Sequence, residues 1–135
     1  MKKLQTDLEI LNAIYEKYYD TFASYNDVNQ TRNDKVYVPI DIKSIAKSLG
    51  VDGDIIFGRL YYHLNKKYGY IKENGKKVSF FEKNFNNEMH IINFPLMASV
   101  LADLRDQQKK YTISMWIAGV SACISIIAAV ISVLS

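Results

Sequence analysis

Cysteine, histidine and proline are scarce in this chain, and each scarcity excludes something. The single cysteine, Cys123, permits no intramolecular disulfide, so nothing signals an oxidising compartment. The two histidines, His63 and His90, fall on separate elements without cysteine or carboxylate partners at ligand spacing, and no zinc site follows. Gly50, Gly53 and Gly58 lack the Lys-Ser/Thr ending of a phosphate-binding loop, and no Gly-x-Ser-x-Gly elbow occurs. Glu73, Glu82 and Glu88 have no reason to be paired. These absences predict a non-enzyme without a cofactor. The net charge of +3 permits an anionic partner without demanding one. No internal repeat is present, and the polar-patterned part of the chain has room for one small domain.

The largest absence is of charge. Tyr111 to Ser135, YTISMWIAGVSACISIIAAVISVLS, holds no Lys, Arg, Asp or Glu. As a helix it reaches about 37 Å at about 1.5 Å per residue, against a hydrocarbon core of about 30 Å. The rest of the chain could hardly enclose a helix that is apolar on all sides. The segment also lies at the wrong end for a cleavable signal peptide. A transmembrane helix is expected. Arg105, Lys109 and Lys110 precede it and nothing positive follows. The positive-inside rule then predicts a single-pass, tail-anchored protein whose N-terminal domain is cytoplasmic and whose C-terminus lies at or near the far surface. Tyr111 and Trp116 suit the near interface.

Upstream, Leu4, Leu8, Leu11, Tyr15, Tyr18, Phe22 and Tyr25 recur at heptad spacing, widened by Ile10 and Ile14. They predict an amphipathic helix from Lys3 to Tyr25 that packs on its own domain or, alternatively, on another protomer. Asn26 to Asp34 reads as a polar loop. Its Asn29-Gln30-Thr31 matches the glycosylation pattern, which a cytoplasmic domain makes irrelevant. Lys35 to Ile40 reads as a strand, restricted to an edge by Pro39. Asp41 is a suitable N-cap for a helix to Leu49, ended by Gly50. A helix from Asp54 to Lys67 follows. Ile71 to Glu73 and Lys76 to Phe81 form a hairpin around Asn74-Gly75, residues that tolerate positive φ. Met89 to Phe94 is a further strand. Pro95 opens a last helix, with Met97, Val100, Leu101 and Leu104 facing the domain, and no breaker separates it from the apolar segment.

This order of helix, strand, helix, tight turn, helix and hairpin resembles the winged helix-turn-helix family over residues 35–95. In IKSIAKSLGVDGDIIFGRLYYHL, Ala46 fits the small residue where two helices cross and Gly50 the turn glycine. Ile45, Leu49, Val51, Ile56, Leu60 and Leu64 fit the apolar positions, and Asn74-Gly75 falls where the wing belongs. The resemblance implies a winged-helix core (26–95), and with the elements read above the expected fold is α+β: an N-terminal helix (1–25), that core, a connecting helix (96–110) and the transmembrane helix (111–135). It also implies that the second helix of the motif meets DNA, but Asp52, Gly53 and Asp54 stand at that entry. Carboxylates there repel phosphates, and base-reading Arg, Asn or Gln are absent. Their alternative role is capping. Positive charge gathers instead at Arg59, Lys66, Lys67, Lys72, Lys76 and Lys77, the candidate contacts for an anionic partner. Tyr61, Tyr62, Tyr68, Tyr70, Phe80 and Phe81 interleave with them and are expected mainly in the core.

Within the apolar segment, Ser114, Ala118, Ser121, Ser125, Ala128 and Ser132 form a small-residue seam beside a stripe of Ile113, Ile117, Val120, Ile124, Ile127, Ile131 and Leu134. Small residues let membrane helices approach closely, so self-association is expected. The expected function is a membrane-tethered, non-enzymatic binding module. Its partners are the bilayer, copies of itself and an unknown protein, with DNA a weak candidate. Two alternatives stand: a membrane-perturbing oligomeric effector of toxin or defence type, and a membrane-bound transcription regulator.

Overall fold

Thr6 and Glu9 fix where the first helix starts. In the computed structural model, which describes residues 3–26, 28, 30, 32, 34–84 and 89–134, the Glu9 N–H donates to the Thr6 hydroxyl at 3.1 Å while the Thr6 N–H donates back to the Glu9 carboxylate. This capping box satisfies two N-terminal donors at once. It sets helix α1 at Asp7–Ala23, shorter at both ends than the heptad pattern suggests. The buried stripe is Ile10, Leu11, Ile14 and Tyr18. The residues that only widened the sequence pattern thus lie at its centre, and Leu4 is 76% exposed. Asn29 and Thr31 of the glycosylation pattern, Glu88 and Ser135 lie outside the described residues.

The chain divides into two units, Met1–Leu101 and Ala102–Ser135. The first is α+β. Strand β1 (Tyr37–Ile40) buries Val38 and Ile40 and leads into helix α2 (Ile42–Leu49) through Asp41. The Asp41 carboxylate accepts the Ser44 N–H at 3.3 Å, and the Asp41 N–H donates to the Tyr18 hydroxyl at 2.7 Å. That second bond ties the start of α2 to α1. Burial pushes the Tyr18 phenol's pKa up, partly offset by the N–H it accepts. Gly50 ends α2 at φ 71°, the left-handed cap that glycine adopts without a Cβ clash, and the Val51 N–H closes onto the Ala46 carbonyl.

The next helix is not uniform. Helix α3 (Gly53–Gly58) passes into a π-helical stretch, Arg59–Leu64, and then into α4 (Asn65–Tyr68). Ile56, Leu60 and Leu64 are all fully buried. In a regular α-helix a stripe at spacing four drifts by about 40° per step. The wider π turn absorbs that drift and keeps the stripe on the core.

At the end of α4 the backbone folds back tightly. The Gly69 N–H donates to the Asn65 carbonyl at 2.9 Å, and a Cβ on Gly69 would lie 2.6 Å from that oxygen. The Asn65 side-chain oxygen accepts the N–H groups of Phe80 at 3.0 Å and Phe81 at 3.1 Å. Both phenylalanines are fully buried, so this one amide satisfies donors that water does not reach.

Strands β2 (Tyr70–Ile71) and β3 (Lys77–Val78) form a two-stranded ribbon. Its turn differs from the expected Asn-Gly pair. Only Gly75 has positive φ, the Gly75 N–H donates to the Lys72 carbonyl, and the Lys72 N–H donates to the Lys76 carbonyl. That is the longer hairpin loop in which a left-handed glycine follows a turn and forms a bulge. The remaining strands, β4 (Phe81–Glu82) and β5 (His90–Asn93), join β1 in an antiparallel sheet of order β1-β5-β4. Val38 and Phe81 both lie opposite Ile92. Pro39 is thereby on an edge strand, as its missing N–H requires.

Helix α5 spans Phe94–Leu134. It starts one residue before Pro95, with the Asn93 side chain accepting the Leu96 N–H at 3.1 Å. Phe94, Met97, Val100 and Leu101 are buried, and Tyr15 and Phe22 of α1 stack on the Phe94 ring at 5.7 and 4.8 Å. Leu104 falls in the second unit and is only partly covered.

Replacing Asn65 by alanine leaves two buried N–H groups unsatisfied, at about 1–3 kcal/mol each. Asn65→Ala should therefore lower stability by about 2–6 kcal/mol. Asn65→Asp keeps the acceptor and should lose less than half as much. Near-UV circular dichroism of the full chain in detergent, followed through denaturation, measures the difference.

Candidate anion-binding face and apolar span

Six cations, Arg59, Lys66, Lys67, Lys72, Lys76 and Lys77, are the candidate contacts for an anionic partner, and the structure separates them. Arg59 is engaged by its own chain. Its guanidinium pairs with the Asp7 carboxylate and donates to the Gln5 carbonyl at 2.6 Å, leaving the side chain only 28% exposed. The other Asp7 oxygen lies 3.6 Å from His63 Nε2. Gln5 also donates to the Leu49 carbonyl at 3.3 Å. Arg59 therefore clamps the start of α1 to the π-helical stretch and is not a surface cation. A sequence pattern does not show a partner more than fifty residues away.

The lysines remain at the surface. Lys66 and Lys77 line one groove of about 730 Å³ between the helix and the ribbon. Its aromatic wall is Tyr61, Tyr62 and Tyr70. Tyr62 is 70% exposed, and Tyr61 is propped by Phe57 at 5.2 Å and meets Tyr62 edge-on at 5.0 Å. Of the aromatics expected in the core, Phe80 and Phe81 are there, while Tyr61, Tyr62 and Tyr70 face solvent. Lys83 also lines the groove and was missed, because β4 is too short to leave a strand pattern. Glu82 is the carboxylate on this wall. Lys72 and Lys76 lie in the ribbon's turn, and Lys67 sits over the Tyr68 ring at 5.3 Å.

The acidic entry has a different character. Asp52 caps α3, its carboxylate accepting the Asp54 N–H at 2.8 Å. Asp41, Asp52 and Asp54 line a cleft of about 510 Å³ with Lys43, Phe57 and His90. Carboxylates at two helix N-termini stabilise those termini and oppose an incoming phosphate. His90 Nδ1 accepts the Asn84 N–H at 3.2 Å, which requires a neutral ring. Burial, with Lys83 nearby, pushes its pKa down. Among the described residues, no three His, Cys, Asp or Glu side chains gather to hold a metal.

In the second unit, the helix is long and apolar enough to cross a membrane, and none of its most apolar stretch is buried. Ser114, Ala118, Ser121, Ser125, Ala128 and Ser132 are exposed along it, as are Ile117, Ile124 and Ile131 of the neighbouring stripe. The Ser125 hydroxyl donates to the Ser121 carbonyl at 3.0 Å, so the helix's own backbone satisfies it. Lys110 pairs with Asp106 at 3.1 Å just before the uncharged segment.

Comparison with known proteins finds no matching family model, no matching curated protein and no matching solved structure.

The His90 arrangement has a pH signature. Its folded pKa lies below the unfolded value of about 6.5, so the unfolded chain binds the proton more readily. The stabilisation is present above that value and is lost as pH falls through the folded pKa. The full chain should lose thermal stability as pH falls below the unfolded value of about 6.5, whereas His90→Asn, which keeps an acceptor without ionising, should show a flatter profile. Parallel melting curves on either side of that value measure it.

Proposed function

We propose that this chain is a membrane-tethered binding module: a winged-helix-like domain on the cytoplasmic face, held by a single transmembrane helix and acting by contact. The observation that carries the reading is the uncovered apolar length of α5 beyond Tyr111. Arg105, Lys109 and Lys110 on the upstream side support a cytoplasmic domain. The winged-helix assignment is supported by the element order, by Ala46 buried where α2 packs, and by the Gly50 turn between α2 and α3. It differs from the simplest form of that fold in pairing β1 with β5 and not with the Asn74-Gly75 ribbon.

The partner face in this reading is the groove and ribbon that carry Lys66, Lys72, Lys76 and Lys77. Asp52 and Asp54 argue against docking the start of α3 into a DNA groove, so any duplex contact is weak and insensitive to sequence.

The test is fractionation. The full chain should stay with membranes through alkaline carbonate extraction, and a version ending at Lys110 should move to the soluble fraction. Full-length protein recovered in the carbonate supernatant contradicts the tether.

A further inference from the structure

The β2–β3 ribbon pairs two features that rarely coincide on a water-facing hairpin. Ile71 is 72% exposed and Tyr70 is 52% exposed, at successive positions of a short strand and so on its two opposite faces. Around them stand cations: Lys72 follows in the chain, Lys77 lies directly opposite Ile71 across the ribbon, and Lys76 closes the turn. Lys66 faces the same groove from the helix. Glu73 and Glu82 are the opposing charges nearby, so the patch is net positive.

We infer that this ribbon is a second membrane contact, docking on an anionic lipid surface. Each part matches one layer of that surface. Ile71 enters the acyl boundary, Lys77 beside it on the same face reaches back to the headgroups, and the turn lysines meet anionic headgroups. Phosphate of a nucleic acid would match the lysines but gives no reason for an exposed aliphatic side chain beside them. The inference rests on the tether proposed above, because a chain anchored in a bilayer meets the lipid surface at high effective concentration, and a weak patch then suffices. Each lysine brought to an anionic surface favours the docked state by about fivefold.

The experiment uses the full chain reconstituted into vesicles of phosphatidylcholine alone or with added phosphatidylserine. Flotation reports association, and amine-reactive footprinting read by mass spectrometry reports each lysine. The expected result is flotation with both compositions. Reactivity of Lys72, Lys76 and Lys77 should be at least about fivefold lower on anionic vesicles, with Lys43 and Lys47 unchanged. Ile71→Asp should restore the reactivity without loss of flotation. Equal lysine reactivity on both compositions, with the chain floating on each, overturns the ribbon contact and leaves the tether intact. Flotation confined to anionic vesicles overturns the tether while upholding the contact, and flotation on neither overturns both. Protection by single-stranded oligonucleotide but not by anionic lipid assigns the patch to nucleic acid and overturns the inference.

Discussion

From Tyr111 to Leu134 the chain is helical, uncharged and uncovered, and this is the constraint on which the proposed function rests. Ile113, Ile117, Val120, Ile124, Ile127 and Ile131 each stand about half exposed or more. Leaving one such side chain in water forgoes about 1.5–3 kcal/mol. Their sum rivals the whole stability of a typical domain, about 5–15 kcal/mol. A bilayer removes that cost, and a helix is the form in which a single segment can enter one, because its backbone groups are satisfied internally. The hydroxyl of Ser125, bonded back to Ser121, follows the same rule.

The first unit carries a separate constraint at Asn65 and Gly69. The Gly69 backbone approaches the Asn65 carbonyl so closely that no side chain fits, and the Asn65 amide holds Phe80 and Phe81. That clasp sets where the ribbon leaves the helix and therefore where Lys77 stands relative to Lys66. Arg59 does comparable work at the other end of the π-helical stretch, where it holds Asp7 and Gln5. The tyrosine-lined groove lies between these fixed points, on a helix whose π turn places Leu60 inward and Tyr61 and Tyr62 outward.

What was legible in the sequence was local. Asp41 as a cap, Gly50 as a helix stop, Pro39 on an edge strand and the buried stripe Ile56, Leu60 and Leu64 each follow from neighbours a few residues away. The uncharged segment was legible because its signal is composition alone. The features that sequence reasoning missed depend on distant partners. Nothing around Arg59 announces Asp7, nothing around Asn65 announces Phe80, and two-residue strands such as β4 leave no alternation to detect. The start of α1 was the exception: Thr6-x-x-Glu9 is a local capping signal, and the heptad pattern, which extends past it, does not use it. The exposure of Tyr61 and Tyr62 was legible and misread, since with Leu60 inward the next two positions lie about 100° and 200° around the helix.

The native cysteine provides the most direct test of the central claim. Cys123 lies midway along the uncharged segment and is exposed on the helix surface, so no described residue of its own chain covers it. A membrane-impermeant maleimide applied to vesicles carrying the full chain, opened so that both faces are reached, reads whether lipid does. The account predicts that Cys123 stays unlabelled until the membrane is dissolved in sodium dodecyl sulfate, and then labels fully. Labelling in the intact bilayer at the rate seen in sodium dodecyl sulfate would place the segment in water and contradict it.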